Sequence, residues 1–384
     1  MKLTNNRLYL DYNATAPLDD AVLEWLSKGV FPFGNPSSIH NSGKQSKKLI
    51  NQTRDFLFDQ FELHEHSLFF HSGATEGIND IVKGFCYKSM ALKEEFHVIV
   101  SRSDHSCLVN QRDHIELMGG SFHFFDVNSD GNFDEESLVD FIKGLNGRVF
   151  LNYTFINNET GVVWELDRAL RIKEKTNCFI HVDAVQLIGK WKSLKLSSKL
   201  DGYTFSGHKF GAMKGVGFSF VSVNNDFTCS LIRGGGQQEA LRSGTENVLS
   251  IYSIKLALES LMKAYDYERL KSKKERIENA LIERYSDRIE IAGKNSLRNA
   301  NTIYLIIKGV KTDILITAFD MAMIDVSSGS ACSSGAIKPS RVLLSMGYTE
   351  EDAKNSLRLS FSPSLDDENQ LIEKLTTVLD RFLS

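Results

Sequence analysis

The chain has 384 residues, 42% hydrophobic and 24% charged, with a formal net charge of -4. That balance is the one expected of a soluble protein long enough for two domains, and it gives no global attraction to nucleic acid or an anionic membrane. No apolar run reaches membrane-spanning length and the N-terminus lacks the apolar core of a signal peptide, so a cytoplasmic location is expected.

Five cysteines, Cys86, Cys107, Cys178, Cys229 and Cys332, include no C-x-x-C pair. This argues against a disulfide framework or a structural zinc site and fits a reducing compartment.

In chain order, Tyr9 to Pro17 reads as a short strand running into a turn. Asp19 and Asp20 then cap a helix carrying Val22, Leu23 and Leu26. Gly34-Asn35-Pro36-Ser37-Ser38 is a polar loop, followed by an amphipathic helix from about His40 to Phe61. Ser67 to His71 is a strand, and a helix resumes at Ile78. The junction between them, Ser72-Gly73-Ala74-Thr75-Glu76-Gly77, exposes backbone N–H groups and a hydroxyl where the helix dipole is positive. It is a natural phosphate seat, although a plain helix cap reads the same way.

Strands and helices then alternate: strand His97 to Ser101, helix Cys107 to Met118, strand Ser121 to Phe125, helix Glu135 to Leu145. Strand Arg148 to Phe155, helix Leu166 to Lys175 and strand Phe179 to Val182 follow. Alternation of this kind implies an α/β fold with a mostly parallel sheet covered on both faces. Ligands of such sheets bind beyond the carboxyl ends of the strands. Thr75, His105, Asn158, Asp183, Gln186 and Lys209 fall there.

Two segments imitate metal sites. Asp126 to Gly131 opens like a calcium loop, but its twelfth position is Ser137 where a bidentate glutamate is needed. It is expected to be a polar turn that caps the helix at Glu135. His64-Glu65-His66 lacks the H-E-x-x-H spacing, and no metal site is expected there.

Lys209 lies in Phe205-Ser206-Gly207-His208-Lys209-Phe210-Gly211, between an apolar strand Leu200 to Ser206 and another from Phe218 to Val223. A lysine on a tight glycine-flanked turn between core strands reaches bulk water poorly. Desolvation lowers its pKa and frees the amine for Schiff-base chemistry. Ser206 and His208 beside it can donate to a phosphate. A surface lysine on a polar turn is the bland alternative.

Gly234 to Glu239 and Arg242 to Asn247 form a polar, glycine-rich loop, followed by helices Val248 to Ala264 and Tyr267 to about Tyr285. A second pattern comes next: strand Asn301 to Ile307, helix Asp313 to Met321, strand Ile324 to Ser327, a helix after Pro339, strand Ser356 to Phe361 and helix Asp366 to Phe382. It reads as a smaller α+β domain. Between these elements, Ser328 to Gly335 is a loop of serine and glycine with one alanine and Cys332. Such a loop gives a cysteine no packing role, so Cys332 is a candidate nucleophile able to travel.

Together D-Y-N-A-T-A-P, G-N-P-S-S, S-G-A-T-E, D-H, N-N-E-T-G, H-V-D-A-V-Q, S-G-H-K, R-S-G-T-E-N and S-S-G-S-A-C resemble the cysteine desulfurases of the class V aminotransferase group, the NifS/IscS-like enzymes. Each motif alone is weak, but nine in register over nearly the whole chain are specific. The resemblance implies pyridoxal 5'-phosphate, fold type I and a homodimer. It divides the chain into a large cofactor-binding domain, 16–258, and a small domain made of 1–15 and 259–384.

The resemblance also assigns roles. Lys209 would carry the cofactor and act as base, Asp183 would face the pyridine nitrogen, and His105 would stack on the ring. Gln186 and Asn158 would lie around the phenolic oxygen and the substrate. Ala74, Thr75, Ser206 and His208 would form the phosphate cup, with Thr245 contributed by the partner subunit. Arg358, with Asn35 and Asn158, would bind the substrate, the guanidinium gripping its carboxylate. Cys332 would take sulfur from L-cysteine, leaving alanine and a persulfide for a protein acceptor, and would at most ligate a cluster transiently on that acceptor. Direct binding of nucleic acid or membrane is not expected.

The sequence departs from the family in Ala16, in Thr154-Phe155-Ile156, in Cys107 and in stopping at Ser384, where related enzymes carry a further tail. The stop leaves the acceptor open. A selenocysteine lyase, another lyase of the group and a catalytically inactive scaffold relative are the rival readings. Cys332 argues against a plain lyase, and intact Lys209, Asp183, His105 and Cys332 argue against the scaffold.

Overall fold

The computed structural model describes residues 7–223, 230–329 and 338–383. The chain enters through β1 (Leu8–Tyr9). The next strands are β2 (His66–His71), β3 (Phe96–Ser101), β4 (Ser121–Phe125) and β5 (Arg148–Thr154). They are followed by β6 (Phe179–Asp183), β7 (Gly202–Ser206) and β8 (Gly217–Ser222). β2 to β8 form one seven-stranded sheet in the order β2-β8-β7-β6-β5-β3-β4. β8 runs antiparallel to both of its neighbours, and the other pairs are parallel.

The reason lies in the strand sequences. β3 is buried along its whole length, including Val98, Ile99 and Val100, as a strand covered on both faces must be. Side chains alternate between the two covers. Leu68 and Phe70 pack with Ile50, Leu57 and Phe61 of helix Asn41–Phe61 and with Ile251 and Ile254 of helix Val248–Ala264. Phe69 faces the other way, toward Ile78, Ile81, Val82 and Phe85 of helix Ala74–Leu92.

A separate core holds the later elements. β9 (Ile289–Ile291), β10 (Thr302–Ile307), β11 (Ile324–Asp325) and β12 (Ser356–Ser360) complete the strands. β10 pairs antiparallel with both β9 and β12. Helices Tyr267–Tyr285, Thr312–Met321 and Glu368–Leu383 contribute Ile277, Leu315 and Leu375 to this core. Leu10 packs in it too, and β1 pairs with β11, so the start of the chain joins its last third.

Three local expectations differ from the structure. The helix expected over Cys107 to Met118 is two short helices, Ser106–Val109 and Arg112–Leu117. The side-chain amide of Gln111 donates to the Cys107 carbonyl, occupying the acceptor that a continuous helix would use for its backbone. Asp126 to Gly131 belongs to a polar turn as expected, with Asn128 Oδ1 accepting from the N–H groups of Asp130 and Asn132, but the cap of the helix at Glu135 is Asp134, outside that segment. β9 was not anticipated from the sequence, being only three residues with Glu290 between two isoleucines. Among the described residues no helix is long and apolar enough to cross a membrane.

Candidate active site

Beyond the carboxyl ends of the sheet strands lies a cavity of about 680 Å³. Lys209 closes a 3-10 turn, Gly207–Lys209, that links β7 to the segment before β8. Its Nζ donates to the carbonyls of Asn13, at 2.7 Å, and Ala14, at 2.8 Å. Burial, with the Arg358 cation adding, pushes its pKa down to about 8. The lysine is therefore a cavity group and not a surface one.

Asp183, the last residue of β6, lines the same cavity. One oxygen accepts from the Val185 N–H, and burial raises the pKa to about 6. His105 caps helix Ser106–Val109 by accepting the Cys107 N–H on Nδ1, and its ring stands in the cavity wall. Desolvation by the walls, then the Lys209 and Arg341 cations, lowers its pKa and favours the neutral ring.

Across the cavity, helix Ala74–Leu92 begins four residues earlier than expected. Gly73 caps it, and Glu76 accepts the Ser72 N–H, a local bond that starts the helix upstream of Ile78. The N–H groups of Ala74 and Thr75 thus belong to the first helical turn, which has no helical acceptors. Ser206 and His208 join Ser72 to Glu76 in the cavity wall. His208 Nδ1 pairs with Thr15 Oγ1 at 3.2 Å, and burial pushes its pKa down to about 4. An unsatisfied helix start beside two polar side chains is suited to an anion.

Arg358, on β12, reaches the cavity from the second core. Its Nη2 donates to Asp11 Oδ1 at 2.7 Å and Nη1 to the Asn158 carbonyl at 3.1 Å, while Nε is buried with no hydrogen-bond partner among the described residues. Gln186 donates to the Asn13 carbonyl at 3.1 Å and accepts from the buried Lys190 amine. The Asn13 carbonyl therefore receives both Gln186 and Lys209.

The structure brings Ala74, Thr75, His105, Asn158, Asp183, Gln186, Ser206, His208, Lys209 and Arg358 to one cavity. Asn35 and Thr245 are exposed and are not among its walls. Cys332 lies outside the described residues; Ser327 and Gly329, just before its segment, line the cavity. Sequence reasoning missed the carbonyls of Asn13 and Ala14, the Lys190 amine and the placing of Cys107 in the wall. Backbone acceptors leave no residue signal, and the Lys190 signal was only its four-residue spacing from Gln186 on a polar-poor stretch. Burial raises the Cys107 thiol pKa well above the ordinary range, so it stays protonated.

The model for the family described as aminotransferase class-V matches residues 8–371. Cysteine desulfurase 2 of Trichormus variabilis is 33% identical over 359 residues, covering 92% of this chain and 88% of that protein. The cysteine desulfurase of a Nostoc species is 32% identical over 381 residues, covering 98% and 93%. Among solved structures, the NifS-like protein from Rickettsia africae superimposes with a TM-score of 0.85 at 30% identity, covering 98% of this chain and 100% of that one.

Proposed function

We propose that this chain, which belongs to the class-V aminotransferase family, is a cysteine desulfurase that uses pyridoxal phosphate. One observation carries the reading. A half-buried lysine amine with lowered pKa, a buried carboxylate and the free N–H groups of a helix start face one cavity.

The donor set fits the cofactor group by group. Lys209 would hold its aldehyde carbon, Asp183 its ring nitrogen, His105 its ring face, and Gln186 with Asn158 the edge toward the substrate. Ala74, Thr75, Ser206 and His208 would hold its phosphate through N–H and hydroxyl donors. When bound, pyridoxal phosphate supplies an electrophilic carbon for amines and a ring that accepts electrons released at the substrate Cα.

The chain's own residues supply the rest. Arg358 orients the substrate carboxylate, presented from β12 at the cavity wall. Lys209, neutral above about pH 8, takes the proton from the substrate Cα. Cys332 accepts the substrate sulfur: L-cysteine and the Cys332 thiol give L-alanine and a Cys332 persulfide. A protein acceptor then receives that sulfur, and its identity is open.

The exposure of Thr245, away from this cavity, supports a homodimer in which it completes the neighbour's cavity. The packing of Leu10 with the second core supports a small domain of 1–15 and 259–384 beside a large one of 16–258. Incubation with L-cysteine tests the function directly. Equimolar alanine and sulfide, in the presence of a reductant, are expected; release of pyruvate in place of alanine would assign a different lyase reaction.

A further inference from the structure

His71 ends β2 immediately before the turn that starts helix Ala74–Leu92. Its ring fills a space that two glycines leave open. A Cβ on Gly77 would come within 2.4 Å of Nε2, and one on Gly217 within 2.5 Å of Cε1. Neither position tolerates a side chain while the imidazole is there.

From this ring a line of buried hydrogen bonds follows the strand order of the sheet. The Gly73 N–H donates to His71 Nδ1 at 3.3 Å, and His71 Nε2 meets Ser219 Oγ on β8 at 3.0 Å. Ser219 Oγ pairs with Thr204 Oγ1 on β7, and Thr204 Oγ1 with His181 Nε2 on β6, each at 2.8 Å. His181 Nδ1 meets Asn152 Oδ1 on β5 at 2.8 Å. Asn152 Nδ2 donates to Asp104 Oδ2 at 2.9 Å, just beyond β3. All six side chains are at most 4% exposed.

Each end fixes the direction of the line independently. At pH 8, above its raised pKa, Asp104 is an ionised carboxylate that only accepts, and it receives the Ser101 N–H, the Thr154 hydroxyl and Asn152. That places the amide of Asn152 toward it and its oxygen toward His181, whose proton is then on Nδ1. Nε2 of His181 accepts from Thr204, Thr204 accepts from Ser219, and Ser219 accepts from His71 Nε2–H. At the other end the Gly73 N–H can only donate, which requires a bare Nδ1 on His71. The two deductions meet on the same tautomer. Burial holds both rings neutral, with pKa values of about 4 for His71 and about 3 for His181.

We infer that His71 is a positioning residue that holds the anion-binding turn Ser72 to Thr75 from beneath, as the head of one directional hydrogen-bond chain ending on Asp104. Its service to a phosphate rests on the proposed function. The chain does not: it is a property of the protein alone. An N–H that is fixed by His71 sets the turn's backbone before an anion arrives, which lowers the ordering cost of binding.

The test uses the full chain in two measurements. Nitrogen-15 imidazole spectra at pH 8, with the His71 resonances identified by their loss in His71→Asn, should show a neutral ring protonated on Nε2, and His181 protonated on Nδ1. In cofactor-free protein, His71→Leu keeps bulk but offers no acceptor, whereas the oxygen of His71→Asn can take the place of Nδ1. Affinity for pyridoxal phosphate should fall about tenfold in His71→Leu and return to within about threefold in His71→Asn, the scale of one backbone hydrogen bond. Affinity for pyridoxal, which lacks the phosphate, should stay level in both variants. A proton on His71 Nδ1, equal losses for the two ligands, or an asparagine variant no better than leucine would each overturn the inference. If the wild-type protein took up neither ligand, the proposed function would fall, and the imidazole spectra alone would decide the chain.

Discussion

Lys209 and Asn13, 196 positions apart, are joined by a 2.7 Å hydrogen bond from the lysine amine to the asparagine carbonyl. An amine that donates to two carbonyls in a desolvated turn is aimed before any ligand arrives. Its lowered pKa sets a pH signature. Only the neutral amine attacks an aldehyde, so uptake of pyridoxal phosphate by cofactor-free protein should quicken about tenfold per pH unit below about 8 and level off above it. An ordinary lysine would keep accelerating to about pH 10.4. Stopped-flow absorbance measures this. Lys209→Ala should abolish both the yellow absorbance and turnover, and turnover in that variant would remove Lys209 from its role.

Division of labour gives the second prediction. Cys332→Ser should take up pyridoxal phosphate like the wild type yet form no persulfide and release no sulfide from L-cysteine. Cys107 lines the cavity, but desolvation keeps its thiol protonated, so Cys107→Ser should retain activity within about threefold, the effect of a tolerated substitution at a half-buried position. Mass spectrometry after exposure to L-cysteine reads which sulfur gains mass. A persulfide on Cys107 in the Cys332→Ser variant would reverse the assignment.

Much of this site was legible because its side chains fall at strand ends in a repeating α/β pattern. Asp183 follows an apolar strand and Lys209 sits between two, so the sheet brings them together once the strands pair. What stayed hidden depends on side chains and carbonyls from distant segments. The acceptors of Lys209 come from the first turn of the chain, and the anchor of Arg358 is Asp11, 347 positions away. The helix start at Ala74, four residues before the expected Ile78, stayed hidden because the bond that starts it, from the Ser72 N–H to the Glu76 carboxylate, is local but unpatterned. His71 read only as the end of a strand, and its partners lie on other strands of the sheet.

The pairing of Arg358 with Asp11 carries the third prediction. The guanidinium already spends Nη2 on Asp11 and Nη1 on the Asn158 carbonyl, leaving Nε with no partner among the described residues. Arg358→Lys keeps a charge but loses the planar fork that matches a carboxylate. KM for L-cysteine should rise about tenfold or more, the scale of one charge-assisted hydrogen bond, with pyridoxal phosphate uptake unchanged. A lowered kcat at unchanged KM would place Arg358 elsewhere in the reaction.

Asp104 gives the last prediction, through its linkage to pH. Burial, with repulsion from Asp183 as a smaller cause, raises its pKa in the folded protein to about 7. In the unfolded chain an aspartate titrates near about 3.9. As pH falls through 7 the folded state takes up a proton that the unfolded state does not, so this group's contribution to stability grows on acidification and is lost as pH rises. His71, His181 and His208 act in the opposite sense: their folded pKa values lie below the ordinary one, so their contribution is present above about pH 6.5 and is lost as pH falls. Comparing the wild type with Asp104→Asn removes the histidines from the difference, because both proteins carry them. Asparagine does not titrate and can still accept from Asn152. Between pH 8 and pH 5 the wild type should therefore gain roughly 1–3 kcal/mol of unfolding free energy on the variant. Urea unfolding at the two pH values measures the gap, and a gap that stayed constant would mean that Asp104 titrates as an ordinary carboxylate.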